Sequence, residues 1–478
     1  MTFQFAHYSV SELASLVRRR EVSPVELTTD SLEAIDAAQP ALNAFITVCH
    51  ERALRDARTA EAAVLRGDKL GPLHGVPFSA KDMLETEGVR TTYGTLALAD
   101  HVPTSDCAAI RRMKNAGAIL VGKTTTPEFA SGCLTESPLF GRTRNAWHPE
   151  RTSGGSSGGA AVSVAAGLVP IALATDSGGS TRIPAACNAV VGLKQTLGLI
   201  PDELTPDGFG SLVYINPLVR RAEDLPALLA VLGSAHQADP LSLMARTVVP
   251  TRIAYDLRGV RIGWMPRLGA EALDPEVLTL CEAAIERLAG LGAQVSELRV
   301  DAIPCFGAWS TIQNNYRTHR FGKVVDAARD KLSPRLLRMM GRSTKESAQD
   351  LMRAMTTRAD VFRQVQEWFC AADFVITPTL TRTALPLDHD IEAAVEIAGV
   401  LCGPAQAAWF PTLCNYNLSG HPAISVPCGW ASDGLPVAIQ VAGRWGSDLH
   451  LSRLAELYQE AHPEALCTLE TTFTETAT

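Results

Sequence analysis

Two glycine-serine clusters lie 24 residues apart and constrain the fold of this chain more than any other stretch. The first, G-G-S-S-G-G, spans Gly154 to Gly159, and the second, G-G-S, spans Gly178 to Ser180. Paired glycines permit sharp turns and let backbone amides approach a ligand closely. The residues between the clusters predict a small-residue helix over 158–167 and a buried, apolar strand over 169–175. We therefore expect both clusters in loops that flank one helix-strand unit.

Three other interpretations of the clusters fit the sequence less well. A flexible Gly/Ser linker would not contain an apolar segment that has to be buried. A phosphate-binding loop needs lysine after Gly159, where this chain has Ala160. A serine nucleophile elbow, G-x-S-x-G, matches residues 154–158 and would use His421 or His450 as its later histidine. That elbow does not explain the second cluster.

The rest of the chain alternates between strand and helix patterns, which favours an α/β fold with parallel strand pairs. Residues 9–66 read as helical, and Asp106 is expected to cap the helix that follows it. Helices are also expected to dominate 306–389. The predicted strands are 76–79, 118–121, 260–265, 293–300, 375–378 and 423–427. The predicted helices include 25–38, 107–116, one that begins at 274–275, and 449–458.

Composition excludes several classes of function. The chain has 478 residues and a net charge of −8, so it lacks the basic surface that nucleic acid or anionic membrane would require. Its most apolar segment, 160–174, is too short to span a bilayer, and the first residues do not resemble a secretory signal. Eleven cysteines without a C-x-x-C pair are typical of reduced thiols, and no metal-binding motif is present. We expect a cytoplasmic protein without metal or cofactor.

Three separated motifs resemble the amidase signature family. They are the two clusters, the second within D-S-G-G-S-T-R-I-P-A, and G-V-P-F-S-A-K-D at Gly75 to Asp82. The resemblance continues through F-G-R-T-R-N-A-W at 140–147, V-V-G-L-K-Q-T at 190–196 and N-L-S-G-H-P-A-I-S-V-P at 417–427. It implies one large α/β/α domain over 1–478, with a central mixed β-sheet covered by helices. Within it we expect an N-terminal helical region (1–70), a catalytic core (75–225), and a remaining sheet and pocket region (226–478).

The resemblance also implies the catalytic residues. In this family a lysine base acts through a bridging serine on a serine nucleophile, which makes Lys81 the base, Ser156 the bridge and Ser180 the nucleophile. The family holds the bridging serine behind a cis peptide bond. Backbone N–H groups of Ser177, Gly178, Gly179 and Ser180 are expected to stabilise the oxyanion.

An ordinary lysine, with a pKa near 10.4, is protonated at neutral pH and cannot act as a base. Burial disfavours the charged form and lowers the pKa. Lys81 follows a short apolar strand, so we expect it to be buried at the carboxyl end of that strand. A nearby carboxylate would oppose the shift, and Asp82 is therefore expected to point elsewhere.

The implied activity is hydrolysis of carbon–nitrogen bonds in small apolar or aryl amides, through an acyl-enzyme, with carbamates or esters as further substrates. The alternative is the glutaminase subunit of a tRNA-dependent amidotransferase. That relative has an aspartate seven residues before the asparagine of N-L-x-G-x-P, where this chain has Phe410. A silent binding protein on the same fold is disfavoured because all three catalytic residues are present. The predicted substrate-binding residues are Gly132, Cys133, Trp309, Tyr316, Trp409 and Phe410, and we expect a monomer or a homodimer.

Overall fold

The computed structural model describes residues 5–244 and 256–465. A mixed β-sheet of 11 strands forms its centre, in the order β1-β3-β2-β6-β8-β7-β14-β15-β11-β9-β10. The strands of this sheet are β1 (Phe45–Val48), β2 (Pro77–Lys81), β3 (Ile119–Thr124), β6 (Ile171–Asp176), β7 (Val191–Lys194), β8 (Tyr214–Val219), β9 (Arg261–Trp264), β10 (Gln294–Glu297), β11 (Phe374–Pro378), β14 (Ala423–Trp430) and β15 (Pro436–Gly443). Two small hairpins lie outside it: β4 (Glu136–Ser137) with β5 (Gly141–Arg142), and β12 (Ala394–Ile397) with β13 (Val400–Pro404).

Fourteen α-helices accompany these strands in the described part of the chain. They are α1 (Val10–Arg18), α2 (Pro24–Leu42), α3 (His50–Arg66), α4 (Ala108–Asn115), α5 (Gly158–Ala165), α6 (Arg182–Cys187), α7 (Leu225–Leu232), α8 (Pro275–Gly290), α9 (Phe306–Ala327), α10 (Pro334–Ser343), α11 (Ala348–Ala371), α12 (Ala405–Ala408), α13 (Leu413–Ser419) and α14 (Asp448–Ala461). None of the helices within 5–244 and 256–465 has the length and apolar character needed to cross a membrane.

Helices cover both faces of the sheet. Successive side chains of a strand point to opposite faces, and β6 shows where each face is buried. Ile171 and Leu173 pack in the core that α8 and α14 cover, whereas Ala172 and Ala174 pack in the core that α5 covers. This is the α/β/α arrangement that the sequence predicts. Strands from each of the three predicted regions belong to the one sheet. The assignment of the whole chain to a single domain stays a prediction.

The sheet brings the sequence motifs to one edge. Strands β2 and β6 are parallel neighbours, with Ala80 opposite Leu173. Their carboxyl ends therefore lie side by side, and these ends carry Lys81 and Asp176. Ligands bind at this edge in open α/β sheets.

Several local predictions need correction. The carboxylate of Asp106 does not cap α4, because it accepts hydrogen bonds from Lys114 Nζ at 2.7 Å and from the Glu87 N–H at 2.9 Å. The segment 9–66 contains strand β1 between its helices. Three further strands of the central sheet, β7, β8 and β15, were not predicted, and neither were the four strands of the two small hairpins. The helix after Asp274 is confirmed, with Asp274 accepting a bond from the Glu276 N–H at its start.

Candidate active site

The two glycine-serine clusters form adjacent loops. Ser156 and Ser157 directly precede α5, and Ser180 lies between β6 and α6. The Ser157 N–H donates a hydrogen bond of 3.2 Å to the Ser180 carbonyl, which joins the two loops. The peptide bond between Gly155 and Ser156 is cis. This is the loop arrangement expected from the sequence.

Lys81 is buried at the end of β2, and its amine lies among three hydroxyl groups. Its Nζ atom is 2.7 Å from Ser156 Oγ, 2.8 Å from Ser157 Oγ and 2.9 Å from Thr175 Oγ1. The Ser157 hydroxyl donates to the Thr175 carbonyl, so its oxygen is available to accept from the amine. A neutral amine has two N–H groups and one lone pair. It can therefore donate to Ser157 and Thr175 and accept a proton from Ser156.

Burial lowers the pKa of Lys81 well below its ordinary value, and the carboxylate of Asp176 only partly opposes this effect. Asp82 points away, as predicted, because its Oδ2 atom accepts a hydrogen bond of 2.9 Å from the Thr92 N–H. The carboxylate that influences the amine is thus the one at the end of β6. An unprotonated Lys81 is the form that could take up a proton from a hydroxyl.

A buried ion pair fixes the loop that carries Ser180. The Asp176 carboxylate accepts from Arg182 Nε at 3.0 Å and Nη2 at 3.1 Å, and both side chains are fully buried. Arg182 also donates to Gln440 Oε1 and Asn417 Oδ1, and Asn417 donates back to Asp176. Burial alone would raise the pKa of Asp176, but the Arg182 guanidinium holds it well below its usual range. The carboxylate is therefore charged at neutral pH.

One of the predicted oxyanion donors instead makes a hydrogen bond to the Asp176 carboxylate. The Gly179 N–H donates to Asp176 Oδ1 at 2.6 Å, so it is directed away from the site. Throughout the described residues, the N–H groups of Ser177, Gly178 and Ser180 have no hydrogen-bond partner. These three remain as candidate oxyanion donors, one fewer than the sequence analysis expected.

Ser180 opens onto a cavity of about 320 Å³. Its hydroxyl makes no hydrogen bond to any residue that the structure describes, and none joins it to Ser156 Oγ. The cavity is walled by four of the six predicted substrate-binding residues: Gly132, Cys133, Trp309 and Phe410. Trp309 Nε1 donates to the Ser177 carbonyl, and this contact fixes the indole against the loop.

The other two predicted binding residues lie elsewhere. Trp409 is fully buried, and its Nε1 atom donates to the Arg382 carbonyl at 3.1 Å. Phe410, the next residue, faces the cavity instead, since consecutive side chains leave the backbone in different directions. The Tyr316 hydroxyl lies 3.2 Å from Thr205 Oγ1, and Tyr316 lines a much smaller neighbouring cavity that shares Arg317 with the first.

The histidines of the alternative elbow mechanism are not part of this cavity. His421 is buried against Phe369, and its Nδ1 atom lies 3.0 Å from Ser419 Oγ. Burial lowers the pKa of His421 to about 3. His450 is exposed on α14. Neither ring lines the pocket beside Ser180, so nothing here supports a serine-histidine mechanism.

Three arginines in the cavity wall were not predicted from the sequence: Arg317, Arg335 and Arg342. One signal for Arg317 was available, because it lies eight residues after Trp309 on α9 and thus on the same side of the helix. No comparable spacing pointed to the other two. A search of the described residues also finds no group of histidine, cysteine and acidic side chains that could hold a metal ion.

The chain is similar to known proteins along most of its length. The family model described as Amidase matches residues 26–451. An acylamidase of Rhodococcus erythropolis is 34% identical, over 97% of this chain and 98% of the relative. A glutamyl-tRNA(Gln) amidotransferase subunit from Moorella thermoacetica is 33% identical, over 95% and 96%.

Solved structures show the same relationship. The structure of a bacterial aryl acylamidase of the amidase signature family matches with a TM-score of 0.90 and 27% identity, over 96% of this chain and 97% of the other. Native peptide amidase from Stenotrophomonas maltophilia matches with a TM-score of 0.79 and 26% identity, over 95% and 97%. The chain belongs to the amidase signature family. It is a hydrolase that acts on carbon–nitrogen bonds.

Proposed function

We propose that this protein is an amidase that cleaves apolar and aryl amides through an acyl-enzyme on Ser180. In this proposal Ser156 relays the proton between Ser180 and Lys81, and Lys81 is the base. The observation that carries the proposal is the 2.7 Å contact between Lys81 Nζ and Ser156 Oγ, in a buried site beside the cavity onto which Ser180 opens. A lysine with a depressed pKa and a neighbouring hydroxyl is a way to activate a serine.

In the proposed path, a proton moves from Ser180 through Ser156 to Lys81. As Ser180 Oγ attacks the amide carbon, its proton passes to Ser156 Oγ, and the Ser156 proton passes to neutral Lys81. The protonated lysine then returns a proton through Ser156 to the leaving nitrogen, and the C–N bond breaks. Water then attacks the acyl carbon and gives up a proton through Ser156 to Lys81. The lysine returns a proton through Ser156 to Ser180 Oγ as the bond between Oγ and the acyl carbon breaks, and the carboxylic acid leaves. The path requires Ser180 Oγ to rotate into contact with Ser156 when substrate binds.

The oxyanion of the tetrahedral intermediate would be held by the loop before α6. The unpartnered N–H groups of Gly178 and Ser180 are the main donors in this proposal, with Ser177 beside them. Removing one such donor in a serine hydrolase costs about 10²- to 10³-fold in rate. The Gly179 N–H contributes indirectly, because its bond to Asp176 sets the direction of its neighbours.

An apolar wall next to the nucleophile supports apolar and aryl substrates. Trp309, Phe410 and Ile183 line the cavity beside Ser180. Aromatic side chains bury flat groups favourably, whereas a buried ammonium without a paired charge is strongly disfavoured. The similarity to an acylamidase and to an aryl acylamidase structure supports the same substrate class.

The alternative function is that of the amidotransferase subunit, to which the chain is 33% identical. Phe410 argues against it, because it stands where that relative is expected to hold the α-ammonium of glutamine. The test compares kcat/KM for glutamine with that for a simple anilide. We expect the anilide to be the better substrate, and a tenfold preference for glutamine would support the amidotransferase function.

Carbamates and esters pass through a tetrahedral intermediate of the same charge, so we extend the proposal to aryl carbamates and aryl esters. A screen of purified protein against aryl amides, aliphatic amides, carbamates and esters tests the proposal as a whole. Hydrolysis of anilides that is lost in Ser180→Ala supports it. Anilide hydrolysis that survives in Ser180→Ala contradicts it.

We further propose that the protein acts as a monomer or homodimer in the cytoplasm. All ten cysteines among the described residues are free thiols, which supports a reducing compartment. Sedimentation analysis and fractionation of the native cells test these two points.

A further inference from the structure

The cavity beside Ser180 is basic at one end. Arg317, Arg335 and Arg342 line it, and Glu392 is the one carboxylate among its described lining residues. Glu392 is already paired, since its Oε2 atom lies 2.6 Å from Arg338 Nη2. The cavity therefore carries unbalanced positive charge.

Arg317 is the most constrained of these arginines. Only 4% of its surface is exposed, yet no carboxylate of the described residues lies within 4 Å of its guanidinium. Its Nε atom donates to the Phe129 carbonyl and its Nη1 atom to Asn314 Oδ1, both at 3.3 Å. Its Nη2 atom has no partner in the described part of the chain. Burial and the charge of Arg335 lower the pKa of Arg317 to about 10. It stays charged at neutral pH without a counterion.

Arg335 reaches the same cavity from α10. Its Nη2 atom donates to Ser131 Oγ at 2.9 Å. Its other N–H groups donate to none of the described residues and can bind an anion. A Cβ atom at Gly132 would lie 3.3 Å from this guanidinium nitrogen and 3.0 Å from Ile391. The absence of a side chain at Gly132 keeps the guanidinium accessible.

Arg317 and Arg335 line the same cavity as Ser180. Trp309 contacts the loop before Ser180, and Arg317 is eight residues further along α9. At 1.5 Å per residue, the Cα atoms of Trp309 and Arg317 are separated by about 12 Å along the helix axis. A substrate can therefore place its amide at Ser180 and a second group at the basic end.

We propose that the preferred substrate carries a carboxylate, which Arg317 and Arg335 bind at the far end of the cavity while the amide lies at Ser180. This inference rests on the proposed amidase function and narrows its substrate class. The planar guanidinium matches a carboxylate with two parallel N–H···O bonds, and such charge-assisted bonds are the strongest in a protein site. Glutamine carries both a carboxylate and an ammonium, so its expected rejection rests on the apolar Phe410 and not on these arginines.

The test compares matched substrates that differ only in the carboxylate. Glutaryl 4-nitroanilide is paired with pentanoyl 4-nitroanilide, and a series from succinyl to suberyl varies the distance. A second pair, 4-acetamidobenzoate and acetanilide, moves the carboxylate to the leaving group. We expect kcat/KM for the carboxylate member of one of these pairs to exceed that for its neutral partner by about 10- to 100-fold. If the acyl side of the substrate lies beside the arginines, kcat/KM in the acyl series should also be highest at one chain length.

Variants separate this inference from the catalytic proposal. Arg317→Gln and Arg335→Gln should each remove most of the carboxylate preference, measured as the ratio of kcat/KM for glutaryl 4-nitroanilide to kcat/KM for pentanoyl 4-nitroanilide, and circular dichroism checks that both variants are folded. Arg363→Gln, on the exposed face of α11, is the matched control and should leave kcat/KM unchanged for both substrates. Calorimetry on Ser180→Ala, with glutaryl anilide against pentananilide, measures the same preference without turnover.

Ser180→Ala should bind glutaryl anilide more tightly than pentananilide, and the double variant with Arg317→Gln should lose this difference. That result supports the inference even if the anilides prove to be slow substrates. Equal kcat/KM for both members of each pair, or a penalty for the carboxylate, overturns it while leaving the amidase proposal intact. Failure of every anilide with no carboxylate-dependent binding overturns both.

Discussion

The amine of Lys81 lies 2.7 Å from the hydroxyl of Ser156, although the two residues are 75 positions apart in the chain. The contact exists because Lys81 is the last residue of β2 and Ser156 lies in the loop before α5, a helix that packs across β2 and β6. Both side chains are buried, so the amine is desolvated next to the group it would deprotonate. This contact joins the fold to the proposed chemistry.

The pH dependence of hydrolysis should report the ionisation of Lys81. Its pKa is lowered by burial, and only the unprotonated amine can act as a base. Activity should therefore rise with pH through this lowered pKa and reach a plateau, at a lower pH than an ordinary lysine would give. We expect Lys81→Ala to reduce kcat/KM by about 10²- to 10⁴-fold and to remove this rising limb.

The measurement is kcat/KM for an anilide as a function of pH, with the exposed Lys331→Ala as the control variant. Circular dichroism checks that Lys81→Ala is folded. Near-wild-type activity of Lys81→Ala with the same profile would show that another group is the base.

Asp176 supports the site in two separable ways. Asp176→Asn leaves Arg182 as a buried charge without its partner, which should lower the free energy of unfolding by about 3–5 kcal/mol. The charge of Asp176 also raises the pKa of Lys81, so its removal should move the rising limb of the pH profile to lower pH.

Denaturant unfolding measures the first effect, and the pH profile of the folded variant measures the second. Asp360→Asn removes an exposed ion pair on α11 and should cost no more than about 1 kcal/mol. If Asp176→Asn lowered the free energy of unfolding by no more than Asp360→Asn does, the structural role assigned to the buried pair would be ruled out.

The fit between Gly178 and Trp309 should be visible in kinetics. A Cβ atom at Gly178 would lie 2.5 Å from the Trp309 ring, so Gly178→Ala must displace either the indole or the loop that carries the oxyanion donors. We expect kcat to fall by about 10- to 100-fold. Adding Trp309→Ala should restore part of this loss, because the clash is then gone.

Gly307→Ala provides a matched control on the same helix as Trp309, since a Cβ atom there meets nothing within 4 Å. It should retain wild-type kcat. An unchanged kcat in Gly178→Ala would mean that this loop does not need its present position for catalysis.

Motif and spacing predicted the parts of the site that depend on local chemistry. The short apolar strand before Lys81 indicated a buried lysine at a sheet edge, and the paired glycines indicated loops at Ser156 and Ser180. Strand β8 was missed because Pro217 lies in it, and proline in a central strand is unusual. Strand β7 has four residues, one of them Gly192, and therefore carries little strand signal.

Contacts between distant segments could not be predicted in the same way. Nothing local distinguishes Thr175 from an ordinary core threonine, yet its hydroxyl lies beside the lysine amine. Likewise, only the packing of α12 decides that Phe410 faces the cavity and Trp409 does not. Arg317 is 137 residues from Ser180 in the sequence, and the packing of its helix α9 against α10, α11 and α13 places it at the cavity.

The most direct test of the account is to locate the covalent adduct. Ser180→Ala should give a folded protein with no measurable hydrolysis, because no other group can form the acyl-enzyme. Treatment of wild-type protein with a fluorophosphonate, followed by peptide mass spectrometry, should place the adduct on Ser180. Ser310→Ala, which removes another serine of the cavity wall, should leave labelling unchanged. An adduct on Ser156, with Ser180 unmodified, would contradict the assignment of nucleophile and bridge.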